Sequence, residues 1–370
     1  MGRASMTSWA LVRTFAPLLL VPVSLVLHYT NIVASVWVFV AGLAAIAVLA
    51  DWVRRGTEQV AEHAGGAIGS LLNVSFGNAA ELVLALFVLA KAKTEIVQAQ
   101  ITGSIIGTTL LFLGISALVG GVKRPRQTFS QERVGLLSTL LMLVAIAILL
   151  PAVFDLTERV LSPHANRPEL DERLSLAVSV VLLLLYAAHL IYVFVTHRSI
   201  FTSGAEPGAA EWSLMTGILV MLGGTLVIAV ESELVTARLA DTASQLGFSP
   251  VFMGVVVLAL AGTIADLFAS VAFARADRIE ISVNMCVGSA LQIGLVVAPV
   301  LVLVSWWIGH PMNLVFGSPL DLFSIASAAF IVRAIAADGE TTWYEGFVLV
   351  GVYVLLALAF FFQGEGYRAA

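Results

Sequence analysis

The chain has 370 residues, 59% of them hydrophobic and only 12% charged, with a formal net charge of -5 and a mean hydropathy of +0.99. Soluble domains carry about 25% charged residues, so this chain has too little polar surface to cover its apolar side chains in water and needs a bilayer. The small net charge and scattered basic residues exclude a nucleic-acid surface, and the single cysteine, Cys286, excludes a disulfide framework or a cysteine-based metal site.

Apolar runs of roughly 19 to 28 residues recur along the chain, each long enough at about 1.5 Å per residue to cross about 30 Å of hydrocarbon. The first, 9–28, has Arg3 before it and Arg13 near its start, as a secretory signal would, but it is long, and 32–52 begins without a small-residue cleavage site between them. It is predicted to be a retained first span. The segment Thr57 to Glu62 is predicted to lie along the interface as a short amphipathic stretch. Runs at 66–92, 97–121, 133–153 and 173–197 follow, then 213–236, 250–274, 281–308, 318–336 and 343–363. The predicted fold class is an all-α polytopic membrane protein with eleven transmembrane helices. Its longest connections, 154–172 and 198–212, are too short to house a further domain.

Basic residues near helix ends stay cytoplasmic, and with the N-terminus inside, twelve Lys and Arg fall on that side against seven on the other. Lys123, Arg124, Arg126 and Arg133 supply much of the difference. The N-terminus is therefore predicted cytoplasmic and the C-terminus external, in a plasma (inner) membrane.

Aligning the chain with itself at an offset of 185 residues places Gly77-Asn78-Ala79-Ala80-Glu81-Leu82 on Gly262-Thr263-Ile264-Ala265-Asp266-Leu267. The same offset places Glu95-Ile96 on Glu280-Ile281 and Gly103-Ser104 on Gly288-Ser289. The layout that follows is an N-terminal tail and first helix (1–31), a five-helix repeat (32–197), a connecting loop (198–212), a second five-helix repeat (213–363) and a short tail (364–370). Five crossings per repeat invert the second copy relative to the first, which is the plan of secondary transporters with ion sites at the midplane.

Glu81 and Asp266 then lie at matching depths near the bilayer centre, where an acidic residue costs on the order of 3 kcal/mol and needs a partner, a cavity or a function. A pseudo-two-fold axis would bring them face to face around one cation. Asn78 and Thr263, each three residues earlier, share a helix face with them, and Ser104, Ser289 and Gln292 offer further oxygens from the next spans. Hard oxygen ligands suit Ca2+, which takes about six to eight of them. Gly77 and Gly262, just before the two acids, would let another helix approach closely or the backbone unwind to present carbonyls, while ordinary small-residue packing explains Gly103 and Gly288 as readily. Glu231 and Glu233, near the end of span seven, are weaker candidates, since solvated acids are common there; His189 reads as a packed histidine. No resident cofactor is expected.

These residues resemble the Ca2+/proton antiporter (cation exchanger) family within the Ca2+/cation antiporter superfamily. The resemblance lies in Gly69-Ser70-Leu71-Leu72-Asn73 through Gly77-Asn78-Ala79-Ala80-Glu81, in Thr196-His197-Arg198, in Ser232-Glu233-Leu234-Val235 and in Gly288-Ser289-Ala290-Leu291-Gln292-Ile293. It continues in Pro311 to Phe316, Ala337 to Glu340 and Trp343 to Gly346. The resemblance implies an eleven-helix fold in which Asn78, Glu81 and their counterparts in span eight bind Ca2+ and protons alternately. The second repeat departs from it: Thr263, Asp266 and Leu267 stand where the family has Asn, Glu and His, and Thr108 stands where Asn is common. The acidic segment between spans six and seven is reduced to Glu206 and Glu211.

Proton-coupled Ca2+ exchange is the leading reading. The alternatives are H+- or Na+-coupled exchange of Na+, K+ or Mn2+, and a transport-inactive relative. An intramembrane hydrolase is disfavoured, because the spans carry neither paired catalytic aspartates nor a His-x-x-x-His spacing.

Overall fold

A backbone in hydrocarbon must satisfy every N–H and C=O internally, and this sequence does so with helices. The computed structural model describes residues 15–30, 32–64, 76–161, 167–196, 211–316 and 318–366. Within them the helices are α1 (Ala16–Thr30), α2 (Ser35–Ala64), α3 (Ala79–Ala90), α4 (Thr94–Gly121), α5 (Gln131–Leu161) and α6 (Arg167–Ile191). The second half has α7 (Leu214–Leu246), α8 (Pro250–Arg275), α9 (Ile279–Trp307), α10 (Pro319–Ala336) and α11 (Trp343–Gly366). Among the described residues nine helices are long and apolar enough to cross a membrane, while α1 and α3 are shorter apolar helices.

Two helices run well past their apolar runs. α2 continues to Ala64, so the Thr57–Glu62 segment is not a separate interfacial stretch but the last turns of a transmembrane helix, with Thr57 and Val60 buried. The cause is glycine contact with α7: a Cβ on Gly56 would lie 3.0 Å from Met221 N, and one on Gly217 would lie 2.8 Å from Val60 Cγ2. α7 itself extends to Leu246, where Gly247 (φ 71°) ends it in a left-handed cap. α5 and α6 likewise take up most of the 154–172 connection. Glu211 and Trp212, at the end of the 198–212 loop, donate their backbone N–H groups to Gln59 Oε1 at 2.7 and 2.9 Å. The rest of that loop, with Glu206, His197, Arg198 and the Gly69–Asn73 motif, lies outside the described residues.

Two features recur at the 185-residue offset. Ala92 (φ 57°) and Asp277 (φ 63°) are the described non-glycine residues with positive φ, and each turns one helix into the next, α3 into α4 and α8 into α9. π-helical turns interrupt α4 at Gly107–Phe112 and α9 at Ile293–Val297; a third lies in α8 at Met253–Leu258.

The connections pair in a consistent way. After α4, Gln127–Thr128 (β1) joins Glu340–Thr341 (β2), which follows α10, in a two-stranded antiparallel ladder, and Arg124 pairs at 3.0 Å with Asp277 in the turn after α8. The turn after α3 lies instead beside the end of α7 and Pro250. The segment Pro311–Phe316 threads the interior, and its buried backbone is satisfied by side chains: Ser305 Oγ accepts from Met312 N at 2.8 Å, Ser175 Oγ accepts from Leu314 N at 2.9 Å, and Gln98 Nε2 donates to Asn313 O at 2.8 Å.

Candidate cation site

The candidate site lies where α3, α4, α8 and α9 converge. Phe76 and Gly77 are helical, Asn78 breaks the helix (φ -104°, ψ 23°), and α3 restarts at Ala79. Glu81 is therefore in the first turn of α3, where the helix dipole favours an anion, rather than far along an unbroken 66–92 span; residues 65–75 lie outside the described residues. Asp266, by contrast, sits in the interior of a continuous α8.

Gly262 brings the two together. A Cβ there would lie 3.1 Å from both Cα and Cβ of Glu81, so α8 rests directly on the Glu81 backbone. The two carboxylates are within electrostatic range of one another, and Ser104 lies beside Glu81. Glu81 is 1% exposed, and neither of its carboxylate oxygens has a hydrogen-bond partner. The Ser104 hydroxyl, also buried, has none either. Buried polar groups are nearly always partnered, so a carboxylate and a hydroxyl side by side without a fully formed hydrogen bond mark a candidate binding locus.

The remaining sequence candidates surround this point. Asn78 Nδ2 donates to Gln292 Oε1 at 2.9 Å, and Ser289 Oγ donates to Asn78 Oδ1 at 3.3 Å, tying the break before α3 to α9 across the two halves. Ser289 also lies beside Asp266. Thr263 is buried, but its hydroxyl hydrogen goes to Ala259 O at 2.8 Å within its own helix, so it presents only lone pairs. Thr108 does the same toward Ser104 O. The structure thus brings Asn78, Glu81, Asp266, Ser104, Ser289 and Gln292 into one polar region, with Thr263 one turn before Asp266 but bonded within its own helix; no group of three His, Cys, Asp or Glu that could hold a metal occurs among the described residues, so neutral oxygens must complete any cation shell.

The glycines differ in role. A Cβ on Gly103 would sit 1.9 Å from Val255 O, and one on Gly254 would sit 2.7 Å from Ile96 O, so these two zip α4 against α8. Nothing lies within 4 Å of a Cβ on Gly288.

Several polar residues here were not singled out by sequence. Gln100 donates to Glu81 O at 3.4 Å. Arg54 on α2 pairs with Asp51 at 2.9 Å and with Glu58, and both Arg54 and Glu58 act electrostatically on Asp266. The three, Asp51, Arg54 and Glu58, share a helix face, a spacing that could have flagged them. Asp321, in the first turn of α10, is buried beside Thr102. Glu231 is not near a helix end: α7 outlasts the apolar run, so this residue is mid-helix and fully buried, whereas Glu233 is exposed.

A family model described as sodium/calcium exchanger protein matches residues 34–195 and 216–362. A Ca2+/H+ antiporter of Aphanothece halophytica is 34% identical over 94% of this chain and 96% of its own length. The Ca2+/H+ antiporter ChaA of Bacillus subtilis (strain 168) is 37% identical over 85% of this chain and 89% of its own. The solved structure of native YfkE superposes with a TM-score of 0.80 at 32% identity, covering 94% of this chain and 99% of that one.

Proposed function

Since the chain belongs to the sodium/calcium exchanger protein family, we propose that it is a secondary transporter that exchanges Ca2+ for protons across a membrane. The observation that carries this reading is the buried Glu81 carboxylate, unpartnered on both oxygens, facing Asp266 and Ser104. Two carboxylates offset a divalent cation; in its absence the same pair, with few donors around it, is rendered neutral by protons. Cation and protons therefore occupy one site by turns, which is the requirement for obligatory exchange.

In this reading the ligands are Glu81 and Asp266, with neutral oxygens from Asn78, Ser104, Thr263, Ser289 and Gln292. Eleven helices cross the bilayer, α1 standing outside two inverted five-helix repeats, with the N-terminus cytoplasmic and the C-terminus external. The recurrence of the Ala92 and Asp277 turns and of the π turns in α4 and α9 supports the repeat. Relatives named as Ca2+/H+ antiporters favour protons over Na+ as the coupling ion.

The test is radiotracer Ca2+ uptake into vesicles driven by a proton gradient, with Na+, K+ and Mn2+ as competitors. Glu81→Gln and Asp266→Asn, each nearly isosteric, should bring exchange to background while the protein still inserts and folds. An amide variant that transports at an unaltered rate with unaltered cation dependence would remove that residue from the site. Uptake that ignores the proton gradient and follows Na+ would replace the coupling ion.

A further inference from the structure

A second buried carboxylate stands apart from the transport pair. Glu231, mid-way along α7, is 0% exposed and faces Ser24 of α1, itself 1% exposed. Ser24 Oγ lies 2.8 Å from Val21 O and 2.5 Å from Glu231 Oε1. One hydroxyl hydrogen cannot make two full bonds. The bond to Val21 O is the local back-bond of a helical serine. With the hydroxyl hydrogen on Val21 O, the shorter contact takes its hydrogen from the carboxyl oxygen, the other atom able to carry one.

The surroundings agree with a neutral acid. Glu231 Oε2 has no partner, and its neighbourhood is Gly42, whose absent Cβ would lie 3.6 Å from that oxygen, with the Val235 side chain packed on the same glycine. An ionised group there would have one shared donor and no cation. Of the titratable groups on the helices packed around it, His28 on α1 is within electrostatic range of Arg238 and Glu233 of α7, Asp51 on α2 pairs with Arg54 and Arg55, and Glu81 on α3 is within electrostatic range of Asp266. None forms an ion pair with Glu231 among the described residues.

We propose that Glu231 is a proton-binding site distinct from the Glu81–Asp266 pair, in which the carboxylic acid donates to Ser24 and fastens α1 to α2 and α7. Loss of that proton to water leaves Ser24 one hydrogen for two acceptors, so either Val21 O or the carboxylate goes short, and the contact between α1 and α7 weakens.

The test is infrared spectroscopy of the full chain in lipid, in a background of Glu81→Gln with Asp266→Asn so that the transport pair contributes no carboxylic-acid signal. At neutral pH a protonated-carboxyl C=O stretching band is expected that vanishes on Glu231→Gln, is indifferent to Ca2+, and moves to higher frequency on Ser24→Ala. Superimposable spectra with and without Glu231→Gln at neutral pH overturn the proposal, because Glu231 would then be ionised. A second measurement uses the same background: the melting midpoint should fall as pH is raised into the alkaline range, and Glu231→Gln, whose amide can donate to Ser24 as the acid does, should flatten that fall. An equal fall in both proteins overturns the fastening role.

Discussion

At the scale of single residues, the site is defined as much by what glycine leaves out as by what the carboxylates supply. Gly262 lets α8 touch the Glu81 backbone, and a methyl there would sit 3.1 Å from two atoms of Glu81 that are close to main chain and cannot swing aside. We expect Gly262→Ala to cost about 1–3 kcal/mol through overpacking and to slow exchange at least about tenfold. Gly288→Ala, with nothing within 4 Å of the added carbon, should change stability by no more than about 0.5 kcal/mol. Parallel thermal melts and uptake rates check both, and equal effects at the two positions would refute the packing account. Glu81 and Asp266 were legible in the sequence because a charge in an apolar run is too costly to be incidental. Arg54 was not, because Asp51, Arg54 and Glu58 lie where hydropathy already falls and so read as solvated. Thr263 was legible as a hydroxyl standing where an amide was expected, but not that its hydrogen is spent on Ala259 O. The pair Thr263→Asn with Asp266→Glu should therefore restore an amide oxygen and a longer carboxylate, tightening apparent Ca2+ affinity in isothermal titration; unchanged affinity would mean Gln292 or main-chain carbonyls already complete the shell.

The order of the helices was readable, and their ends were not. Hydropathy marks the apolar part of a helix, whereas the hydrogen-bonded ladder continues until a residue or a contact stops it. α7 runs on past Thr236, carrying Arg238 and Asp241, until Gly247 adopts its left-handed cap, and α2 runs on past Trp52 because Gly56 and Gly217 hold it against α7. The misplacement of Glu231 near a helix end follows from that error alone. Conversely, hydropathy alone does not distinguish a straight helix from one restarted at Ala79; only Gly77, as a place where the backbone can unwind, pointed to the break at Asn78. The close crossing of α2 and α7 is testable. A Cβ on Gly56 meets backbone atoms of Met221 and Gly217 at 3.0 and 3.1 Å, which have no rotamer to escape into, so Gly56→Ala should destabilise by about 1–3 kcal/mol. Gly135 in α5 has open space around it, and Gly135→Ala should be neutral or stabilise by up to about 1 kcal/mol by limiting the unfolded chain. A melting midpoint unmoved by Gly56→Ala would show that the α2–α7 contact is looser than drawn.

Across the whole molecule, the connections sort by parity. The segments after α4, α8 and α10 are joined to one another through β1–β2 and the Arg124–Asp277 pair, while the turn after α3 lies beside the end of α7. A chain that crossed with every helix from α3 to α10 would place its connections on alternate sides, an arrangement with which these contacts agree. An exchanger built this way exposes the carboxylate pair to one side at a time, and its coupling follows from competition at the pair. Two buried acids, one of them with neither oxygen fully hydrogen-bonded, are tolerable with protons or with a divalent cation, and costly with neither. Each Ca2+ that enters must displace protons, so lowering the proton concentration removes a competitor. Apparent Ca2+ affinity should therefore rise as pH rises through the titration of the pair, and a proton gradient imposed across vesicles should drive Ca2+ the opposite way. Measured with the membrane potential clamped and an uncoupler as control, Ca2+ binding that is flat in pH would break the link between Glu81, Asp266 and protons. Persistence of that pH dependence in Glu81→Gln with Asp266→Asn would move the competing protons to some other group.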